Sequence, residues 1–422
     1  MTASIFIVSL LTILATGVPI FIALMLPSTY YLVEEIGMQG FLIAQSYVGG
    51  MNKYSLLCIP FFTLAATIMG KGEIGPRLLK FARSLVGHMH GGMALTTIVT
   101  TCTIIGAISG ASVAAIIMIG ALVFKEMQES GYHRDFSAGL ITSTSAVGML
   151  IPPSICFVIY AMNTNTSILK LFSAGIGSGL TWALIVGIYS YFYAKRHDIP
   201  RTDKPTLKSI AISAKEAGWS LGLPAIILGG MYSGIFSPTE AAAVSAGYAL
   251  CVELFVYKDM NTKDFLEMLC SCAKTCATIY IMLAAGQVLA YTMTVAKIPQ
   301  LMSALLGSTS RIAILLVINL MFLIAGMFMG AGSAIVIIIP MVFKLAMEAG
   351  IDPIHLGNIV TVNLAIGMST PPFGQNLFVS CKILDMSFAE VVTSTMPFIL
   401  LSLVTLALVT FVPEISFLFQ VF

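Results

Sequence analysis

The sequence predicts an all-α polytopic membrane protein organised as an inverted repeat, each half holding a re-entrant helical hairpin and a broken helix. Three observations lead there. Of 422 residues, 58% are hydrophobic and 9% charged, with mean hydropathy +0.97, where a soluble domain carries roughly 25% charge. Apolar runs approach the roughly 20 residues that span a bilayer, and the alternating strands of a membrane barrel are absent. A third feature is internal: Gly148-Met149-Leu150-Ile151-Pro152-Pro153 returns 219 residues later as Gly367-Met368-Ser369-Thr370-Pro371-Pro372. Over positions 120–153 the ungapped match gives 11 identities in 34, including Val123-Phe124-Lys125 on Val342-Phe343-Lys344, Glu129 on Glu348 and Gly131 on Gly350.

Each copy is apolar and ends in Gly followed by Pro-Pro. Proline removes a backbone donor, and the residue before it leaves helical geometry. The helix therefore unwinds and leaves carbonyls unpaired, which lipid tolerates only where backbone is buried in protein or lines a cavity. Paired breaks at matching positions point to a transporter's binding site. The other reading is two kinked helices left by duplication, without a ligand.

In chain order, a first span covers about 5–26 and stops at Pro27; its start lacks a basic region and cleavage site and reads as a retained span. Residues 28–50, with Glu34 and Glu35, read as interfacial. A span at about 54–70 leads into a basic amphipathic segment with Lys71, Arg77, Lys80 and Arg83, placed in the interface on the cytoplasmic side. The apolar segment 92–124 is interrupted by Gly106-Ala107-Ile108-Ser109-Gly110-Ala111-Ser112 and has basic residues on both flanks. It reads as a re-entrant hairpin, with a straight span from 103 as the alternative. The first broken helix covers about 136–169, and a span at 172–194 runs into the charged stretch Lys195–Lys215. Spans at 218–236 and 239–257, an interfacial stretch at 258–268 and a span at 270–292 follow. The order then repeats: an interfacial segment with Lys297 and Arg311, a hairpin at 312–345 with its tip at 326–333, a broken helix at 355–382 and a last span at 390–412. The second hairpin's flanks are slightly less basic than the first's, which agrees with hairpins facing opposite sides, as in an inverted repeat.

Sodium is bound by carbonyl and hydroxyl oxygens without burying a full negative charge, which in lipid costs several kcal/mol. A first site is expected where the tip (Ser109, Gly110, Ala111, Ser112) faces Gly148, Ile151 and Pro152. Its counterpart has Gly330, Gly332 and Ser333 facing Gly367, Thr370 and Phe373. Unwound helix ends offer carbonyls to a cation, and half-helix N-termini offer N–H groups to an anion. The candidates for substrate are Ser112, Ser154, Gln375 and Asn376. No Arg lies near either break, so a carboxylate would be held by N–H and hydroxyl donors.

A Walker A sequence and a Gly-x-Ser-x-Gly elbow are both missing, and Asp and Glu lie almost wholly in loops, which argues against ATP as the energy source and against an enzyme. The eight Cys are scattered, without a zinc pattern. A net charge of +2 and the lack of a basic patch give no sign of nucleic-acid binding.

With Gly106–Ala114, Gly148–Ser154 and Asn363–Asn376 in view, the chain resembles, over essentially its whole length, the large membrane subunit of tripartite ATP-independent periplasmic (TRAP) transporters. Ala111 stands where the family has a serine in a Ser-Gly-Ser-Ser tip. The resemblance implies a bacterial inner-membrane importer of organic acids coupled to sodium. It implies a small four-helix membrane subunit and a periplasmic substrate-binding protein as partners, and an elevator-type mechanism. It places at least two sodium sites on Ser109, Ala111, Gly148, Ile151 and Pro152, and on Gly330, Gly367, Thr370 and Phe373. The domains expected are scaffold spans and an arm (1–90), the first half of a transport domain (91–170), scaffold spans and a second arm (171–311), the second half (312–385) and a final span (386–422). The tip is closer to the sialic-acid members, so sialic acid is the first substrate expected. The alternatives are a C4-dicarboxylate TRAP subunit and a self-sufficient sodium/dicarboxylate symporter.

Overall fold

The structure, a computed structural model, describes residues 3–101, 112–200, 204–306 and 309–420. Among the described residues every regular element is helical, and seven helices are long and apolar enough to cross a membrane. The chain is a multi-pass membrane protein.

The chain opens with α1 (Ala3–Ala15), α2 (Ile20–Tyr30), which ends in a π-helical turn at Tyr31–Glu35, and α3 (Gly40–Met51). The single span expected over 5–26 is therefore two helices. Gly17 at φ +77° turns the chain, and Pro19 starts α2, where its missing N–H is harmless. Next come α4 (Cys58–Lys71), entered through a tight turn at Tyr54–Leu57, and the amphipathic α5 (Ile74–Val86). The carboxylate of Glu253, fully buried and 179 residues away, accepts the backbone N–H of Ile74 at 3.0 Å and of Glu73 at 3.3 Å. It satisfies the free donors at the start of α5 and fixes the elbow between span and arm.

The first half of the repeat comprises α6 (Gly92–Thr100), α7 (Ser112–Glu129), α8 (Arg134–Val147), α9 (Ile155–Thr164) and α10 (Ile168–Arg196). Between the halves lie α11 (Leu207–Glu216), α12 (Gly218–Pro224) with its π-helical and helical continuation to Tyr232, α13 (Pro238–Cys251) extended to Tyr257, α14 (Thr262–Val295) and the short α15 (Ile298–Leu306). The interfacial stretch expected at 258–268 and the span at 270–292 are one 34-residue helix, α14. Asn261 caps it by accepting the Asp264 N–H, so the charged residues 263–267 form its first turns instead of a separate segment.

The second half repeats the first: α16 (Arg311–Phe328), α17 (Ala331–Glu348), α18 (Pro353–Gly367), α19 (Gln375–Leu384) and α20 (Phe388–Phe411), with a short α21 (Glu414–Phe417) at the end. α17 begins and ends 219 residues after α7. Both Pro-Pro bonds are cis, both hairpins turn into their broken helix at a left-handed glycine (Gly131, Gly350), and both broken helices end in a left-handed residue (Asn165, Asp385).

The broken helices run in opposite directions. α8 starts where α19 ends, with Arg134 donating to the Leu384 carbonyl at 3.3 Å. α18 starts on the other face beside α9, with Tyr160 Oη donating to the Pro353 carbonyl at 2.7 Å. Packing is reciprocal: α9 lies on α17 and α19 on α7, while α20 lies on α8 and α10 on α18. Neither half buries its apolar faces alone, so the two interlock.

Candidate functional site

The second hairpin meets the second break. At Gly326 in α16 and Gly367 in α18 the backbones approach so closely that a Cβ on Gly367 would stand 2.7 Å from the Gly326 Cα and 2.8 Å from the Leu323 carbonyl oxygen. Above this contact Phe328 packs its ring on Phe373 at 5.4 Å between centroids. The hairpin tip is only Met329-Gly330, and Gly330 lies against the Gln375 side chain. In the break, Thr370 N–H donates to the Gly367 carbonyl (3.0 Å), Gly374 N–H to the Thr370 carbonyl (3.1 Å), and Thr370 Oγ1 to the Ile366 carbonyl (2.7 Å). The Gly367 and Thr370 carbonyls each accept one bond and keep a lone pair, whereas the Ile366 carbonyl also accepts the Ser369 N–H. Gly332 does not face the break; it points at Ile159 of α9 and Met282 of α14.

The first break is enclosed. Gly148, Pro152 and Pro153 are buried, Ile151 packs on Gly179 of α10, and the Leu150 carbonyl sits against Gly175. Ser109 and Ala111, with the rest of 102–111, lie outside the described residues. The breaks thus differ in more than sequence: the first is buried throughout apart from a half-buried Ile151, whereas Pro372, Phe373 and Gln375 of the second are exposed.

The four residues expected to meet substrate separate. Ser112 and Asn376 are fully buried and bond to each other, Ser112 Oγ donating to Asn376 Oδ1 at 2.7 Å. Asn376 Nδ2 in turn donates to Ser369 Oγ at 3.0 Å, and Ser369 to the Thr142 carbonyl at 3.4 Å. This chain of hydrogen bonds joins the first hairpin, the second break and the first broken helix. Ser154 is buried at the N-terminus of α9, its hydroxyl without a partner. Gln375 lines a cavity.

That cavity has a volume of about 570 Å³, within the range of small-molecule sites. One wall is both breaks at once, through Met149 and its repeat partner Met368. Three helix N-termini reach it: Ile155 and Cys156 of α9, Gly330 to Ser333 of α17, and Gln375 of α19. Such ends present free N–H groups and positive dipole ends to an anion. The opposite wall is one face of α4 (Thr63, Thr67, Lys71) and one face of α14 (Ser271, Thr275, Thr278). Lys71 is the single charged residue on the lining and makes no ion pair among the described residues. Sequence reasoning missed both faces, although hydroxyls spaced three and four apart in apolar spans carry the helical period.

Among the described residues no cluster of His, Cys, Asp or Glu could hold a metal ion. A cation would have to be held by carbonyl and hydroxyl oxygens.

The chain is similar to known proteins over nearly all its length. The model of the tripartite ATP-independent periplasmic transporter, DctM component, matches residues 7–415. The C4-dicarboxylate TRAP transporter large permease protein DctM of Pseudomonas aeruginosa is 40% identical over 365 residues, covering 86% of this chain and 85% of that protein. The ectoine/5-hydroxyectoine TRAP transporter large permease protein UehC of Ruegeria pomeroyi is 36% identical over 376 residues, 89% and 88% of the two chains. Among solved structures, the YdaH transporter of Alcanivorax borkumensis, described as having an unusual topology, superposes with a TM-score of 0.64 over 90% of this chain and 89% of its own, at 14% identity. It shares the fold. The chain belongs to the DctM family, the large membrane component of tripartite ATP-independent periplasmic transporters.

Proposed function

We propose that this chain is the membrane carrier of a sodium-coupled importer for a small organic acid, working with a small four-helix membrane subunit and a periplasmic binding protein in the bacterial inner membrane. The observation that carries the reading is the convergence of three helix N-termini and both breaks on one cavity. The N-termini suit a carboxylate, and the unwound carbonyls beside them suit sodium, so ion and substrate meet at one place. A C4-dicarboxylate is the first candidate, supported by the 40% identical relative. Ectoine, named for the other relative, also carries a carboxylate, which this cavity is built to receive. Sialic acid, expected from the hairpin tip, stands second.

The two hairpins and broken helices (91–170 and 312–385) form the moving unit of an elevator, and α4 and α14 belong to the scaffold it slides along. The cavity lies between them. Lys71, exposed on its lining, ends α4 where the basic arm α5 with Lys80 and Arg83 begins, a side that the positive-inside rule makes cytoplasmic. The cavity therefore faces inward.

Uptake by vesicles holding all three components, assayed against succinate, sialic acid and ectoine, tests the substrate. Saturable uptake of one of these acids is the expected result, and uptake with this chain alone would instead favour the self-sufficient symporter. Lys71→Gln should slow substrate counterflow by about two- to fivefold at low salt and less at high salt, since an exposed charge acts through a screened field. Equal rates at low salt would remove Lys71 from the substrate path.

A further inference from the structure

A second concave feature lies away from the cavity, on the basic face. A groove of about 460 Å³ separates α5 from the start of α11, lined by Lys80, Arg83 and His88 on one side and Lys204, Thr206 and Ser209 on the other. Two of its cations are partly neutralised, Lys80 by Glu216 at 2.6 Å and Arg83 by Glu126 at 3.3 Å. Hydrogen bonding from Lys80 holds the Glu216 carboxyl below its ordinary range, so this pair stays charged. Lys204 has no ion-pair partner among the described residues, and His88 Nδ1 is enclosed without a hydrogen-bond partner. Thr206 caps α11 by accepting the Ser209 N–H at 3.1 Å, which turns the positive end of that helix toward the groove.

Exposed apolar residues adjoin the lining along the chain: Leu207, 87% exposed, follows Thr206, Leu85 and Met89 follow Ser84 and His88, and Ile212 lies one turn after Ser209. α11 buries none of its side chains. A soluble anion would leave these residues in water, whereas a phospholipid covers the groove with its headgroup and these residues with its acyl chains. We propose that this groove binds the headgroup of an anionic phospholipid, with Leu85, Met89, Leu207 and Ile212 against its acyl chains. Its position gives it a role: α11 follows α10, which packs on α18 of the moving unit, and precedes the helices that lie between the two halves. A lipid there fastens that joint to the membrane surface. The role rests on the elevator reading; the binding does not.

The experiment is lipid retention by the purified chain, exchanged from mixed phosphatidylglycerol and phosphatidylcholine micelles and read by mass spectrometry. Wild type should retain phosphatidylglycerol in preference, and Lys204→Glu should reduce retention by about fivefold or more, since one basic residue near anionic lipid contributes on the order of a fivefold factor and the reversal adds repulsion. Leu207→Ser, at an exposed site that cannot disturb folding, should weaken retention without changing charge. Equal retention of both lipids by wild type, or unchanged retention in Lys204→Glu, overturns the proposal. So does displacement of the lipid by millimolar inorganic phosphate together with indifference to Leu207→Ser, which identifies a soluble phosphate as the ligand. Transport that continues normally without phosphatidylglycerol would remove the role at the joint and leave the site.

Discussion

Alanine in place of Gly367 is expected to reduce uptake at least tenfold while the chain still inserts in the membrane. The added methyl would stand 2.7 Å from the Gly326 Cα, 2.8 Å from its carbonyl carbon and 2.8 Å from the Leu323 oxygen. All three are backbone atoms, so no side chain can rotate away, and α16 must retreat from α18. Overpacking of this kind costs about 1–3 kcal/mol. The cost falls at the contact that sets the distance between the hairpin tip and the second break. Gly350, by contrast, has open space around its Cα, and its φ of +69° is an ordinary turn. Alanine there should cost stability through backbone strain and leave the sodium dependence of uptake unchanged. If Gly367→Ala transports as wild type, the close approach of α16 and α18 has no part in the site.

The second large effect concerns Asn376. Its side chain accepts from Ser112 and donates to Ser369, both buried. Asn376→Ala strands the Ser112 hydroxyl inside the protein and takes a donor from Ser369, which keeps its bond to the Thr142 carbonyl, at about 1–3 kcal/mol for the unsatisfied group. The purified variant should melt several degrees lower, and uptake should fall, because the bonds hold the first hairpin to the second break. Ser112→Ala alone should be milder. The double variant should cost less than the sum of the two, as residues of one network do not add. Strict additivity would show that the chain of hydrogen bonds is not acting as a unit.

The parts of this structure that could be read from sequence are those with local signals. Gly-then-Pro-Pro announces a broken helix wherever it occurs, and the 219-residue offset carries the reading from one half to the other. The amphipathic arm, α10 and α20 announce themselves by charge pattern and apolar length. The length of α14 was hidden because its first turns are charged, and charge in a membrane protein reads as a loop until the Asn261 cap is seen. The roles of Ser112 and Asn376 were hidden for a different reason: their partners lie 264 residues apart, and nothing local distinguishes a hydroxyl that meets another helix from one that meets a ligand. Gly332 was assigned to the second break because it neighbours Gly330. Two helical steps separate them, which turns Gly332 by about 200°, toward α9 and α14 instead.

The two breaks differ in sequence, Leu150-Ile151 offering only backbone oxygens where Ser369-Thr370 adds hydroxyls. The structure gives the difference a spatial form, with a buried first break and a second break exposed at Pro372, Phe373 and Gln375. If the breaks hold sodium as proposed, an ion at the more exposed second break is expected to exchange faster than one at the buried first break. Two sodium ions of unequal access should therefore bind in sequence.

The central claim is that these breaks bind the ions that drive transport. It is tested by initial uptake into proteoliposomes holding this chain and its small membrane subunit, with the binding protein and labelled substrate outside. An inward sodium gradient should support uptake that rises sigmoidally with external sodium, and potassium in its place should support none. Equal initial rates with sodium, with potassium and with the gradient collapsed would contradict the claim.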